Sequence, residues 1–148
     1  MDPISSAVLG VFMRWVHILS VITLLGGMIF RRFVLFPVSE ILDEEQRKQI
    51  AAATARRSRR WVVLSAIGLF ISGTYNLAAK SNIPPYYPLL FSIKMLLALH
   101  VIVVSFLVDR ASINEERRNR MMTGVVISGI VIVLLSAYLR YLSNWMVL

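Results

Sequence analysis

The chain has two histidines, His17 and His100, and each stands inside a long apolar stretch. A polar or ionisable side chain in hydrocarbon is expensive and usually has a task. Neutral imidazole is a strong ligand for iron, and a helical bundle can hold a flat macrocycle between facing helices. Arg14, Lys94 and Arg140 also interrupt apolar stretches. Arg14 precedes His17 by about one helical turn, and Lys94 precedes His100 by about one and a half. All three cations fall on one side of the histidines, where the propionates of a b-type haem held by His17 and His100 would point. Blander roles are open. An imidazole can hydrogen-bond a neighbouring helix, and cations near a span end can snorkel to headgroups.

A metal ion is the other chemistry these positions allow. Met13 lies four residues before His17, and Met95 lies above His100 on the third apolar stretch. Thioether with imidazole suits copper, Cu(I) above all, although methionine is also a common filler of apolar gaps. Zinc fits less well, because two histidines without cysteine or a nearby carboxylate leave its four-ligand shell incomplete.

The elements that carry these residues follow from composition. Of 148 residues, 57% are hydrophobic and 16% charged, and mean hydropathy is +0.71. A soluble domain keeps about a quarter of its residues charged. Hydrocarbon must therefore cover part of this one. Spans of roughly 20 apolar residues are predicted at 8–30, 61–79, 89–108 and 121–142, within a single domain over 1–148. The first has an extension towards Pro37. The predicted fold class is an all-α membrane protein, a four-transmembrane-helix bundle with short loops. A cytoplasmic helical extension lies between spans one and two, where Asp43 and Gln46 have the spacing of a capping box. Residues 80–88 hold Pro84-Pro85, Tyr86-Tyr87 and Pro88, a tight loop with tyrosines at interface depth. Residues 109–120 form a charged turn.

Lysine and arginine set the orientation. Eight lie in 31–60 and four in 110–120, leaving Arg14, Lys80, Lys94 and Arg140 towards the other face. The asymmetry predicts both basic loops in the cytoplasm and both termini outside. The first apolar stretch begins near Asp2, with no basic start and no cleavage-site pattern, so it reads as a retained span. Spans one and three then run in the same direction. His17 is 14 residues before Arg31 and His100 is 10 before Arg110, a depth difference of only about 6 Å.

Several functions are excluded or disfavoured. With no cysteine there is no disulfide, thiolate metal site, iron–sulfur cluster or covalent haem attachment. The net charge of +8 sits at span ends without interleaved aromatics, which suits anionic headgroups better than nucleic acid. No span has a central Asp or Glu to relay protons. No Ser-His-Asp set, phosphate loop or metalloprotease motif is present. Gly26-Gly27, Gly68, Ser72, Gly73, Gly124, Ser128 and Gly129 allow close helix approach or leave room for a flat ligand. Tyr75 and Asn76 lie at the outer end of span two, within reach of the basic group or as interface anchors.

Arg14-Trp15-Val16-His17-Ile18-Leu19, followed by Gly26-Gly27 and Phe30, resembles the first-span signature of the copper resistance protein D (CopD)-like superfamily. Lys94-Met95-Leu96-Leu97-Ala98-Leu99-His100 is similar to its span with a Lys followed by a His. The same broad group includes HemJ-like proteins, which bind haem and oxidise protoporphyrinogen. The resemblance covers four spans in outline and about a dozen residues in motif. It implies that His17 and His100 are the functional pair, with Lys94 and Gly26-Gly27 in support. Residues 33–37 contain no histidine, where HemJ has one, so the oxidase activity is not carried over.

The combined expectation is a membrane protein binding haem b through His17 and His100, with Arg14, Lys94 and Arg140 at the propionates and a redox or electron-transfer role. Its expected partners are the lipid bilayer, haem, and a quinone or membrane redox protein. Its expected location is a bacterial or archaeal plasma membrane. The alternatives are a copper-binding or copper-transport protein and a cofactor-free structural or assembly subunit.

Overall fold

A computed structural model describes residues 2–79, 87–108 and 114–145, with the backbone alone at Pro3 and 142–145. Every regular element among them is helical. Helix α1 is Pro3–Phe30, α2 is Phe36–Ser39, α3 is Glu44–Ala78, α4 is Tyr87–Leu107 and α5 is Glu115–Trp145. Four helices are long and apolar enough to cross a membrane. The Pro84-Pro85-Tyr86 part of the first loop, Lys80, and residues 109–113 of the charged turn lie outside the described residues.

The boundaries have local causes. Asp43 is extended, and its Oδ1 accepts from the Gln46 backbone N–H at 2.8 Å, as the capping pattern predicts. Glu44 and Glu45 follow at the positive end of the helix dipole. From there α3 runs unbroken through the basic segment into span two. Lys48, 2.6 Å from Glu44, holds that carboxyl below its ordinary pKa. The pair's support is therefore present above the ordinary carboxylate range and fades as pH falls, though both groups are exposed and salt screens them. Asp43→Ala should destabilise this end by about 1 kcal/mol, read as faster amide exchange over the first turns of α3.

Beyond Phe30 the first helix does not stop but widens. Residues Arg31–Leu35 form a π turn, in which the Phe36 N–H bonds to the Arg31 carbonyl. Pro37 follows; it has no N–H to donate and its ring crowds the carbonyl four residues back. A widened turn relieves that conflict while the chain stays helical to Ser39.

The chain divides into two compact units. The first comprises Met1–Gly27 with Leu42–Ser81, so its core is α1 against α3. Val16, His17 and Ser20 of α1 meet Gly68, Ser72 and Gly73 of α3. At Gly68 the approach is close: an added Cβ would collide with Ser20 Oγ and lie 3.6 Å from Val16 Cγ1. Small residues let the backbones come together, and van der Waals contact replaces side-chain bulk. Gly68→Val should destabilise this helix pair by about 1–3 kcal/mol. A lowered unfolding midpoint in denaturing detergent, partly restored by adding Ser20→Gly, is the expected result.

The second unit comprises Met28–Ile41 with Asn82–Leu148. Here α4 packs on α5, with Val101, Val104, Ser105 and Val108 buried on one and Met122, Val125, Val126 and Leu139 on the other. The three- and four-residue spacing from Val101 to Val108 and from Met122 to Val126 makes one apolar stripe on each side of the contact, with Leu139 buried further along α5. Ser105 is fully buried and donates to the Val101 carbonyl at 2.6 Å, so its hydroxyl is satisfied within its own helix. The outward faces carry large apolar groups such as Phe12, Trp15, Phe70, Leu96 and Leu134. Only 11% of the first apolar window and 28% of the last are buried within the structure. Such a surface has no favourable contact with water.

Candidate functional site

His17 is half-buried at the α1–α3 contact. Its Nδ1 lies 2.9 Å from Ser72 Oγ. The Ser72 hydroxyl donates to the Gly68 carbonyl one turn back, at 2.5 Å, and Ser72 is completely buried. With its one proton committed to that carbonyl, Ser72 Oγ can only accept from the imidazole. His17 is therefore protonated on Nδ1, and its lone pair is on Nε2. A metal-ligating histidine needs this arrangement, with one nitrogen anchored to a fixed acceptor and the other carrying the lone pair. Gly73 lies against the same ring: a Cβ there would come 4.0 Å from His17 Cε1.

Neither the hydrogen bond nor the tautomer is legible in the sequence, where Ser72 stands among small residues that allow close helix approach or leave room for a flat ligand. The available signal was a serine one turn after a glycine in a span free of charge. Such a serine bonds back to its own helix and presents its oxygen to the neighbour.

His100 belongs to the second unit and is exposed. Leu96, Leu99 and Val103 share its exposed side of α4. Lys94, half-buried, stands instead seven residues before Val101 in line with the buried stripe. Six residues of helix rotate Lys94 away from His100 by about 120°. The structure thus separates on α4 the two residues that the spacing reading grouped by depth alone.

Arg14 is exposed, one turn before His17 on α1, and Arg140 is exposed on α5, where it is engaged in an interaction of its own. Met13 is half-buried and Met95 exposed. Tyr75 and Asn76 are half-buried at the end of α3. An added Cβ at Gly26, Gly27 or Gly124 meets nothing within 4 Å among the described residues. Close packing therefore accounts for Gly68 but not for these three. Among the described residues no three His, Cys, Asp or Glu side chains form a metal-ion group.

Among the described residues, the elements and these positions define an all-helical fold with four segments suited to a bilayer and an imidazole anchored through Nδ1 in the first. Comparisons with protein-family models, curated proteins and solved structures found no match to this chain.

Proposed function

We propose that the chain is an integral membrane protein that crosses the bilayer four times as a bundle and binds b-type haem through His17 and His100. The observation that carries the reading is the His17–Ser72–Gly68 chain, which anchors the imidazole through Nδ1 in a span otherwise interrupted only by Arg14. The exposed imidazole of His100 supports it. Amid Leu96, Leu99 and Val103, that ring would face hydrocarbon unless something polar covers it, and a polar group left in lipid is costly. An axial bond to iron would satisfy it. The open surroundings of Gly26 and Gly27 also suit a flat ligand. Arg14, Lys94 and Arg140 are the cations proposed for the propionates, with Lys94 on a different side of α4 from His100 and Arg140 exchanging its present interaction for a propionate.

Bound haem would supply one-electron chemistry, its potential tuned by axial ligands and burial. The chain's own work would be to fix the His17 tautomer, hold the ligands and exclude water. A redox or electron-transfer role follows, with a quinone or membrane redox protein as partner.

The deciding experiment is the absorption spectrum of the purified protein. A red preparation with a Soret band that shifts on dithionite addition is expected. A colourless preparation that takes up no added haem would end the reading, and stoichiometric copper without haem would replace it with the copper alternative.

The topology has its own test. Because the chain has no cysteine, single cysteines introduced at Ser5 and at Gln49 report cleanly. Impermeant maleimide should label the first in intact cells and the second only after lysis. The reverse pattern would overturn the orientation with 31–60 and 110–120 in the cytoplasm.

A further inference from the structure

Outside the histidines, the least explained chemistry lies in the second unit, where the π turn meets the start of α5. Arg32 Nε donates to Thr123 Oγ1 at 3.0 Å, and the Thr123 hydroxyl donates to the Asn119 carbonyl one turn earlier, at 3.1 Å. The Arg32 guanidinium also lies 5.4 Å from the centre of the Phe33 ring. It is thus held by a hydrogen bond at Nε and by a ring face, which orients its terminal nitrogens. On the turn of α5 that supplies this carbonyl, Asn119 Oδ1 and Arg118 Nε are buried and have no hydrogen-bond partner among the described residues. Both residues sit at the end of the buried stripe that continues through Met122, Val125 and Val126. Arg118 Nε and Asn119 Oδ1 are shielded from water there, while each residue as a whole is only half-buried.

A buried guanidinium N–H and a buried amide oxygen without partners are unfavourable, and each such group in a native fold calls for an explanation. The nearby surface pair does not supply one: Glu116 is engaged by Arg120, and both are exposed. We propose that Arg32, Arg118 and Asn119 form a binding site for a phosphate group whose neighbour carries a hydrogen-bond donor. Arg118 Nε and the terminal nitrogens of Arg32 donate to the phosphate oxygens. Asn119 Oδ1 accepts from the adjoining hydroxyl or ammonium. Phosphate suits the site because its several oxygens can take donors from two guanidinium groups at once. The source is either a phospholipid headgroup, at the depth where apolar α5 gives way to its charged first turns, or free phosphate.

The test uses the detergent-purified full chain and native mass spectrometry after exposure to phosphatidylglycerol, phosphatidylcholine or inorganic phosphate. Phosphatidylglycerol has a hydroxyl beside its phosphate; phosphatidylcholine has no donor there. Retention of phosphatidylglycerol over phosphatidylcholine is expected, reduced about tenfold in the double variant Arg118→Met with Asn119→Leu. Arg120→Gln removes a nearby surface charge and should leave retention unchanged. Inorganic phosphate that binds alone and displaces the lipid would identify the free ion as the source, whereas lipid binding unaffected by phosphate identifies the headgroup. Equal lipid retention by the wild type and the double variant would overturn the site, as would equal losses in Arg120→Gln. Should the double variant not fold, the wild type decides. Failure of both phosphatidylglycerol and phosphate to raise its melting temperature, against phosphatidylcholine and chloride, would overturn the proposal.

Discussion

Alanine in place of His17 or His100 should yield a folded membrane protein that no longer holds haem. Loss of the Soret band by more than about tenfold is expected in each single variant, because one axial imidazole seldom retains a six-coordinate b-type centre through purification. The physical basis differs between the two. His17 is anchored through Nδ1 to Ser72 Oγ, so His17→Ala also leaves a fully buried hydroxyl without its donor. A modest loss of stability should accompany the loss of colour. His100 is exposed, so His100→Ala removes little internal contact, and stability without haem should stay close to wild type. A preparation that keeps its Soret band in both single variants would remove these histidines from the site. A colourless wild type binding neither haem nor copper would leave the structural or assembly role.

Ser72→Ala should have the next largest effect. It removes the acceptor that holds His17 on its Nδ1–H tautomer, freeing the ring to reorient and to place its proton on Nε2. Loss of such an outer partner typically weakens a metal site about 10–100-fold. Haem affinity should fall by that order, with a shifted midpoint potential in whatever haem remains. Ser72→Thr keeps the hydroxyl and should recover most of the affinity despite the added methyl in a fully buried position. A haem titration with a potentiometric curve on each variant separates this from simple packing damage, which would lower stability in both and leave the potential alone. Unchanged affinity and potential in Ser72→Ala would mean that the hydrogen bond has no part in ligation.

Most of the helical content was legible before any coordinate. The predicted spans at 61–79, 89–108 and 121–142 fall within or nearly within α3, α4 and α5, and 8–30 falls within α1. The Asp43 cap was also legible, because three residues and one side chain decide it. The π turn at Arg31–Leu35 was not. Pro37 marked an obstacle, and the sequence reading only extended the span towards it. Whether a helix breaks, kinks or widens at such a point depends on what packs beside it, here α5 through Thr123.

The candidate site divides the same way. Two histidines and three cations in apolar segments were visible as residue types, and their depths followed from counting. Their directions were not visible. Six residues between Lys94 and His100 read as proximity along the axis, while the fold puts one with the buried stripe and the other on the exposed side. Ser72 was visible only as one of several small residues and Arg118 only as one of the basic residues of 110–120; neither the His17 contact nor the unpartnered atoms of Arg118 and Asn119 could be read from residue type.

By itself the sequence determined that the chain is helical, where its four apolar segments lie, and which end of each is basic. Hydropathy and charge act residue by residue along a helix, so their sum can be read without knowing any neighbour. Only the tertiary structure decided that Ser72 meets His17, that Gly68 admits Ser20, and that Arg32 reaches Thr123. Those contacts join residues 55, 48 and 91 positions apart. They depend on the rotation and closeness of two packed helices, which the shapes of many side chains set together.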